Sequence, residues 1–157
     1  MEDYLVKSVA ENGQFRAYAV NATALVEEAH QIHDTWSAAS AALGRAMVGT
    51  LLLATSGLQG EAGMTVKIQG DGPVGFIVVD GTAQGTVKAY MQNPHVHLPL
   101  NAKGKIDVAG AVGKTGTLSV TKMALLITWP SQNRFHRPWD CRSLSNPMTT
   151  LKLPGAF

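Results

Sequence analysis

From Thr35 to Leu53 the chain reads TWSAASAALGRAMVGTLLL, apolar on nearly every side of a helical wheel and carrying one charge, Arg45. A helix with no polar face must be covered all round, so this stretch is predicted to be a central buried helix over Ala38–Ala54. Thr35 or Ser37 stands where a side-chain oxygen can cap its first turn. A membrane span is the competing reading. It is set aside because Arg45 interrupts the run of about 20 uncharged apolar residues that a bilayer requires. Upstream, Leu25, Val26, Ala29 and Ile32 recur on one helical face, with Glu27, Glu28, His30 and Gln31 largely opposite. That pattern predicts an amphipathic outer helix capped by Asn21 or Thr23.

Elsewhere the period falls to two. Tyr4–Val9 and Gln14–Val20 alternate on either side of Glu11-Asn12-Gly13, which predicts a β-hairpin turned by the Asn-Gly pair. After a loop at Ser56–Gly63, strands are expected at Met64–Gln69, Val74–Val79 and Gly85–Gln92, with turns at Gly70-Asp71-Gly72-Pro73 and Asp80-Gly81. Three strands joined by tight polar turns form an antiparallel meander. Pro94 and Pro99 make the next segment irregular, Lys105–Val112 is ambiguous, and Gly116–Lys122 reads as a further strand. The fold class predicted is α+β.

At 157 residues the chain suits one domain with a genuine core. Thirteen basic against 11 acidic residues describe neither a disordered chain nor a nucleic-acid binder, and Lys103, Lys105, Lys114 and Lys122 lack interleaved aromatics. The start, MEDYLVKSVAENG, is acidic where a secretory signal is basic, so a cytoplasmic location is expected. Cys141 is the only cysteine and supports no disulfide framework or multi-cysteine zinc site.

Several short patterns mimic chemistry. Gly70-Asp71-Gly72-Pro73-Val74-Gly75 has the G-x-G-x-x-G spacing of a dinucleotide site, but Pro73 and a β-rich run follow where a helix is required. Gly113-Lys114-Thr115 resembles the end of a P-loop, yet Val108 stands where its first glycine belongs. Glu27, His30 and His33 share a helical face at metal-ligand spacing, and His95-Val96-His97 could add a second pair, although scattered surface histidines look the same. Cys141 with His136 is a weak nucleophile pair. No catalytic, cofactor-binding or metal-binding residue is assigned, and the expected activity is not enzymatic.

The ordered string DYLVKSVAENGQFRAYAVNAT, HDTWSAASAALGRAM, MTVKIQGDGPVGFIVVDGTAQGTVKAYMQNPHV and KIDVAGAVGKTGTLSVTK resembles the N-terminal region of the heat shock protein 33 family over about residues 3–122. The resemblance implies an ATP-independent holdase chaperone of the bacterial cytoplasm, which binds unfolded client proteins under oxidative or heat stress and forms homodimers when active. No nucleic acid or membrane is implied as a partner. The family's switch is a C-terminal zinc domain with four cysteines in C-x-C and C-x-x-C pairs; none of them is matched here, so no cofactor is expected in this chain.

After Lys122 the resemblance stops. Residues 123–157 hold four of seven prolines and two of three tryptophans but one of 16 glycines, which suggests a divergent tail of frameshift or similar origin. The organisation expected is therefore a partial chaperone domain over residues 1–122 and a tail over 123–157. The alternatives are a non-functional fragment of such a chaperone and a metal-dependent enzyme using Glu27, His30 and His33.

Overall fold

The computed structural model describes residues 2–10, 13–101, 103–123 and 149–152, the last four in their backbone. Seven strands and three helices follow in the order β1 (Tyr4–Val9), β2 (Arg16–Asn21), α1 (Thr23–His33), α2 (Ser37–Gly57), β3 (Gly63–Gly70), β4 (Phe76–Thr82), β5 (Thr86–Met91), α3 (Val108–Val112), β6 (Gly116–Met123) and β7 (Thr149–Lys152). β1 and β2 pair as an antiparallel hairpin. The remaining strands form an antiparallel sheet in the order β6-β3-β4-β5-β7. The α+β expectation and the meander hold.

Alternation explains how the sheet meets α2. Met64 and Val66 of β3, Ile77 and Val79 of β4, and Val87, Ala89 and Met91 of β5 all point to one face and are buried. Against them lie Leu43, Met47, Leu51 and Ala54 of α2. Burying each large side chain contributes about 1.5–3 kcal/mol, so this layer supplies most of the stability. By length and composition α2 could cross a membrane, but most of it is wrapped by the fold. Gly44 lets α1 approach α2, since a Cβ there would meet Cγ1 of Val26 at 2.8 Å.

The second turn differs from expectation. Asp80 and Gly81 lie inside β4, and the chain reverses at residues 83–85, with Gly85 at φ +81°. Gly81 faces α2, where a Cβ would stand 3.0 Å from Cγ2 of Thr50, and Asp80 accepts the Thr65 hydroxyl at 2.5 Å on the far face. Here glycine marks a close helix crossing, and the aspartate marks a cross-strand bond. The ambiguous stretch resolves into α3, capped by Asp107 accepting from the Gly110 amide at 2.9 Å. The expected tail also takes part: Met123 ends β6, and β7 pairs with β5.

Neither long helix is capped as expected. α1 begins after Ala22, and a residue 21 positions earlier serves it: Asp3 accepts the Ala24 amide at 3.0 Å and the Leu25 amide at 2.6 Å. α2 has no side-chain cap; carbonyls of the passing 94–96 segment take the amides of Trp36 (Pro94, 2.9 Å) and Ala39 (Val96, 3.4 Å). Ile32 is exposed because the buried stripe of α1, from Ala22 through Leu25 and Ala29, continues to half-buried His33. In the hairpin, Gly13 (φ +70°) donates to the Ala10 carbonyl, while Glu11 and Asn12 lie outside the described residues.

Asp3 is 6% exposed and carries two charge-assisted bonds at a helix N-terminus. Replacing it by Ala leaves both amides without their acceptor. The Asp3→Ala variant is expected to lose about 1.5–3 kcal/mol in denaturant unfolding.

Candidate functional site

The two glycine-rich patterns that mimic phosphate sites bind each other. Asp71 Oδ1 accepts the amides of Lys114 (2.9 Å) and Thr115 (3.2 Å). The Asp71 amide donates to the Thr115 carbonyl at 3.0 Å, Gly72 to Val112 at 3.1 Å, and Val74 to Ala111 at 3.1 Å. A carboxylate thus occupies the nest of amides that an anion would otherwise take. Gly113 sits at φ +108°, and a Cβ there would collide with Asp71 and the Gly72 amide. The motif exists to lock α3 and the start of β6 onto the β3–β4 turn.

The histidine candidates are brought near one corner but turned to separate partners. His30 Nδ1 lies 3.1 Å from both Thr35 Oγ1 and Ser40 Oγ, which are themselves 2.7 Å apart. Glu27 accepts instead from Gln31 at 3.0 Å. His95 pairs with Asp34 at 3.2 Å and stacks on Trp36 with ring centroids 5.3 Å apart, while His97 meets Ser37 at 2.8 Å. Among the described residues no three His, Cys, Asp or Glu side chains are grouped to hold a metal. The Glu27/His30/His33 set is therefore divided: His30 ties α1 to α2 through Ser40, Glu27 bonds within α1, and His33 turns to the Ala89 backbone of β5. Cys141 and His136 lie outside the described residues.

His33 is the perturbed member. Burial of its ring against the sheet lowers its pKa from the usual 6.5, offset in part by a hydrogen bond to the Ala89 backbone.

What the chain does present is apolar surface. On β6, Leu118 is 67% and Val120 45% exposed, although their neighbours across the ladder, Ile68 and Val66, belong to the α2 side of the sheet. α2 sits over β3–β5 and leaves this flank bare; Leu53 of α2 is also half exposed. A mostly apolar groove of about 490 Å³ lies beside α1 and α2, lined by Val26, Ser40, Ala41, Gly44, Arg45, Val48 and Gly49. The hairpin adds Val6, Val9 and Phe15. Sequence reasoning missed β6 as a surface because alternation reveals which residues share a face, not whether another layer reaches it.

The family model described as Hsp33 protein matches residues 3–133, which carries the family likeness past Lys122. The 33 kDa chaperonin of Lactiplantibacillus plantarum is 73% identical over 122 residues, covering 78% of this chain and 41% of that protein. That of Latilactobacillus sakei is 68% identical over 122 residues, with 78% and 42% covered. The crystal structure of the Thermotoga maritima 33 kDa chaperonin superposes with a TM-score of 0.74 at 32% identity, covering 97% of this chain and 46% of that one. The chain thus spans about two fifths of the length of the relatives it matches.

Three variants check these assignments, the two glycine changes by denaturant unfolding and the histidine change by thermal melts. Gly113→Ala is expected to cost about 3 kcal/mol or more, from a glycine-only conformation plus the collision with Asp71. Gly60→Ala, at φ +61° with open space around it, should cost about 1 kcal/mol. For His33, the unfolded chain takes up the proton more readily than the folded one, so its contribution is full above pH 6.5 and is lost as pH falls through the lower folded value. A His33→Gln variant should show a smaller drop in melting temperature between pH 7 and pH 5 than the parent chain.

Proposed function

Because the chain belongs to the Hsp33 family, we propose that it acts as an ATP-independent holdase, binding unfolded client proteins in the bacterial cytoplasm during oxidative or heat stress. The observation that carries this reading is the exposed apolar surface that Leu118 and Val120 form on β6. Apolar contact is non-directional and scales with area, which suits partners that share no sequence or shape. Exposed patches of this kind also favour self-association, so a homodimer is part of the proposal.

The zinc that the family resemblance implies needs four thiolates, and the residues of this chain supply one, Cys141. They do not fit the metal, and the proposed capture uses no step through it. Client binding by these residues should accordingly be insensitive to the redox state of the solution.

Light scattering of thermally unfolding citrate synthase tests the proposal. Stoichiometric chain should suppress the scattering equally with dithiothreitol or hydrogen peroxide present, and without ATP. Unchanged scattering in both redox states overturns it.

A further inference from the structure

We propose that the open edge of β6 takes up an extended, carboxylate-flanked apolar segment of a non-native polypeptide as a sixth strand of the main sheet. The proposal rests on the holdase reading and specifies how and where the client is held.

β6 pairs with β3 without interruption from Gly116↔Gly70 to Met123↔Gly63. Among the described residues nothing pairs with its other edge, and all eight of its residues are exposed. Native sheets blunt such an edge with lysine, proline, a bulge or a very short strand. GTLSVTKM has only the first of these, Lys122 next to its end, and the six residues before it carry no charge. The edge therefore offers a regular row of backbone donors and acceptors eight residues long.

Backbone pairing reads no sequence, and an unfolded chain brings its own unpaired amides and carbonyls, so the two surfaces satisfy each other whatever the client. Side chains then add selectivity at every second position. Leu118 and Val120 give the added strand apolar neighbours. At the start of β6 a concavity of about 210 Å³, lined by Ile68, Val112, Leu118 and Lys114 among others, can receive one apolar side chain.

Charge narrows the partner further. Lys114 stands at the entrance of the strand, and Lys122 near its end, its Nζ 3.7 Å from where a Cβ on Gly57 would lie. β6 contains no acidic residue, and the nearby Asp71 carboxylate is engaged by the Lys114 and Thr115 amides. A segment with Asp or Glu flanking its apolar residues complements this edge, whereas a lysine-flanked one is repelled.

Amide hydrogen exchange of the full chain, with and without reduced carboxymethylated α-lactalbumin as a permanently unfolded probe, decides the matter. The expected result is that amides of β6 slow by about tenfold or more on binding, while the Leu118→Lys, Val120→Lys double variant binds the probe about tenfold more weakly with an unchanged melt. A ten-residue alternating apolar peptide ending in Glu on both sides should bind more tightly than its Lys-ended counterpart, with the gap closing at high salt. Probe binding with β6 exchange unaltered overturns the proposal and leaves the holdase reading standing. So does β6 exchange that is already slow in the free chain, or that slows only as the chain itself is concentrated, which assigns the edge to this chain or to a second copy. Failure to bind the probe at all overturns both readings.

Discussion

One constraint organises this molecule: a 21-residue helix with almost no polar face has to be kept out of water. β2 to β5, α1 and α3 all pack against α2. The five-stranded sheet covers one side through residues that alternate inward from β3, β4 and β5, and α1 with the root of the hairpin covers part of another. Glycines appear where these layers come closest, Gly44 under Val26 and Gly81 under Thr50 and Ala54. Thr50 shows the cost of so complete a burial, since its hydroxyl has no hydrogen-bond partner among the described residues.

Much of this was legible from the chain alone. The long, mostly apolar run with its single charge announced a central helix, and period-two alternation announced the meander and β6. What failed to show were features whose cause lies far away in sequence. Asp3 caps α1 from 21 residues upstream, and the 94–96 carbonyls cap α2 from about 60 residues downstream. A local search for Ser, Thr or Asn cannot find such caps. Asp80-Gly81 reads as a turn because local chemistry favours one, yet packing against α2 and the bond from Thr65 hold it in a strand.

The phosphate-like motifs were misleading in an instructive way. A nest of amides attracts an anion, and Gly113-Lys114-Thr115 has one, but the anion is the chain's own Asp71. Spacing identified the donors without revealing the partner. The same holds for His30 and His33, whose spacing suggested ligands and whose surroundings make one a hydroxyl-bonded link and the other a half-buried core residue. Of the candidate interaction surface, the strand was readable and its exposure was not, because exposure depends on how far α2 reaches across the sheet.

That reach connects stability with function. A helix that spans β3 to β5 leaves β6 with inward-patterned side chains and no layer above them among the described residues, so the alternation that builds a core elsewhere builds an apolar surface here. The groove lined by Arg45 and by Val26 of α1 adds a second apolar surface on α2. Both surfaces sit on elements fixed by extensive pairing or burial, so exposing them does not require the fold to open. A protein whose proposed task is to hold unfolded chains gains by presenting apolar area on a rigid frame: little of the binding free energy is then lost to ordering its own side.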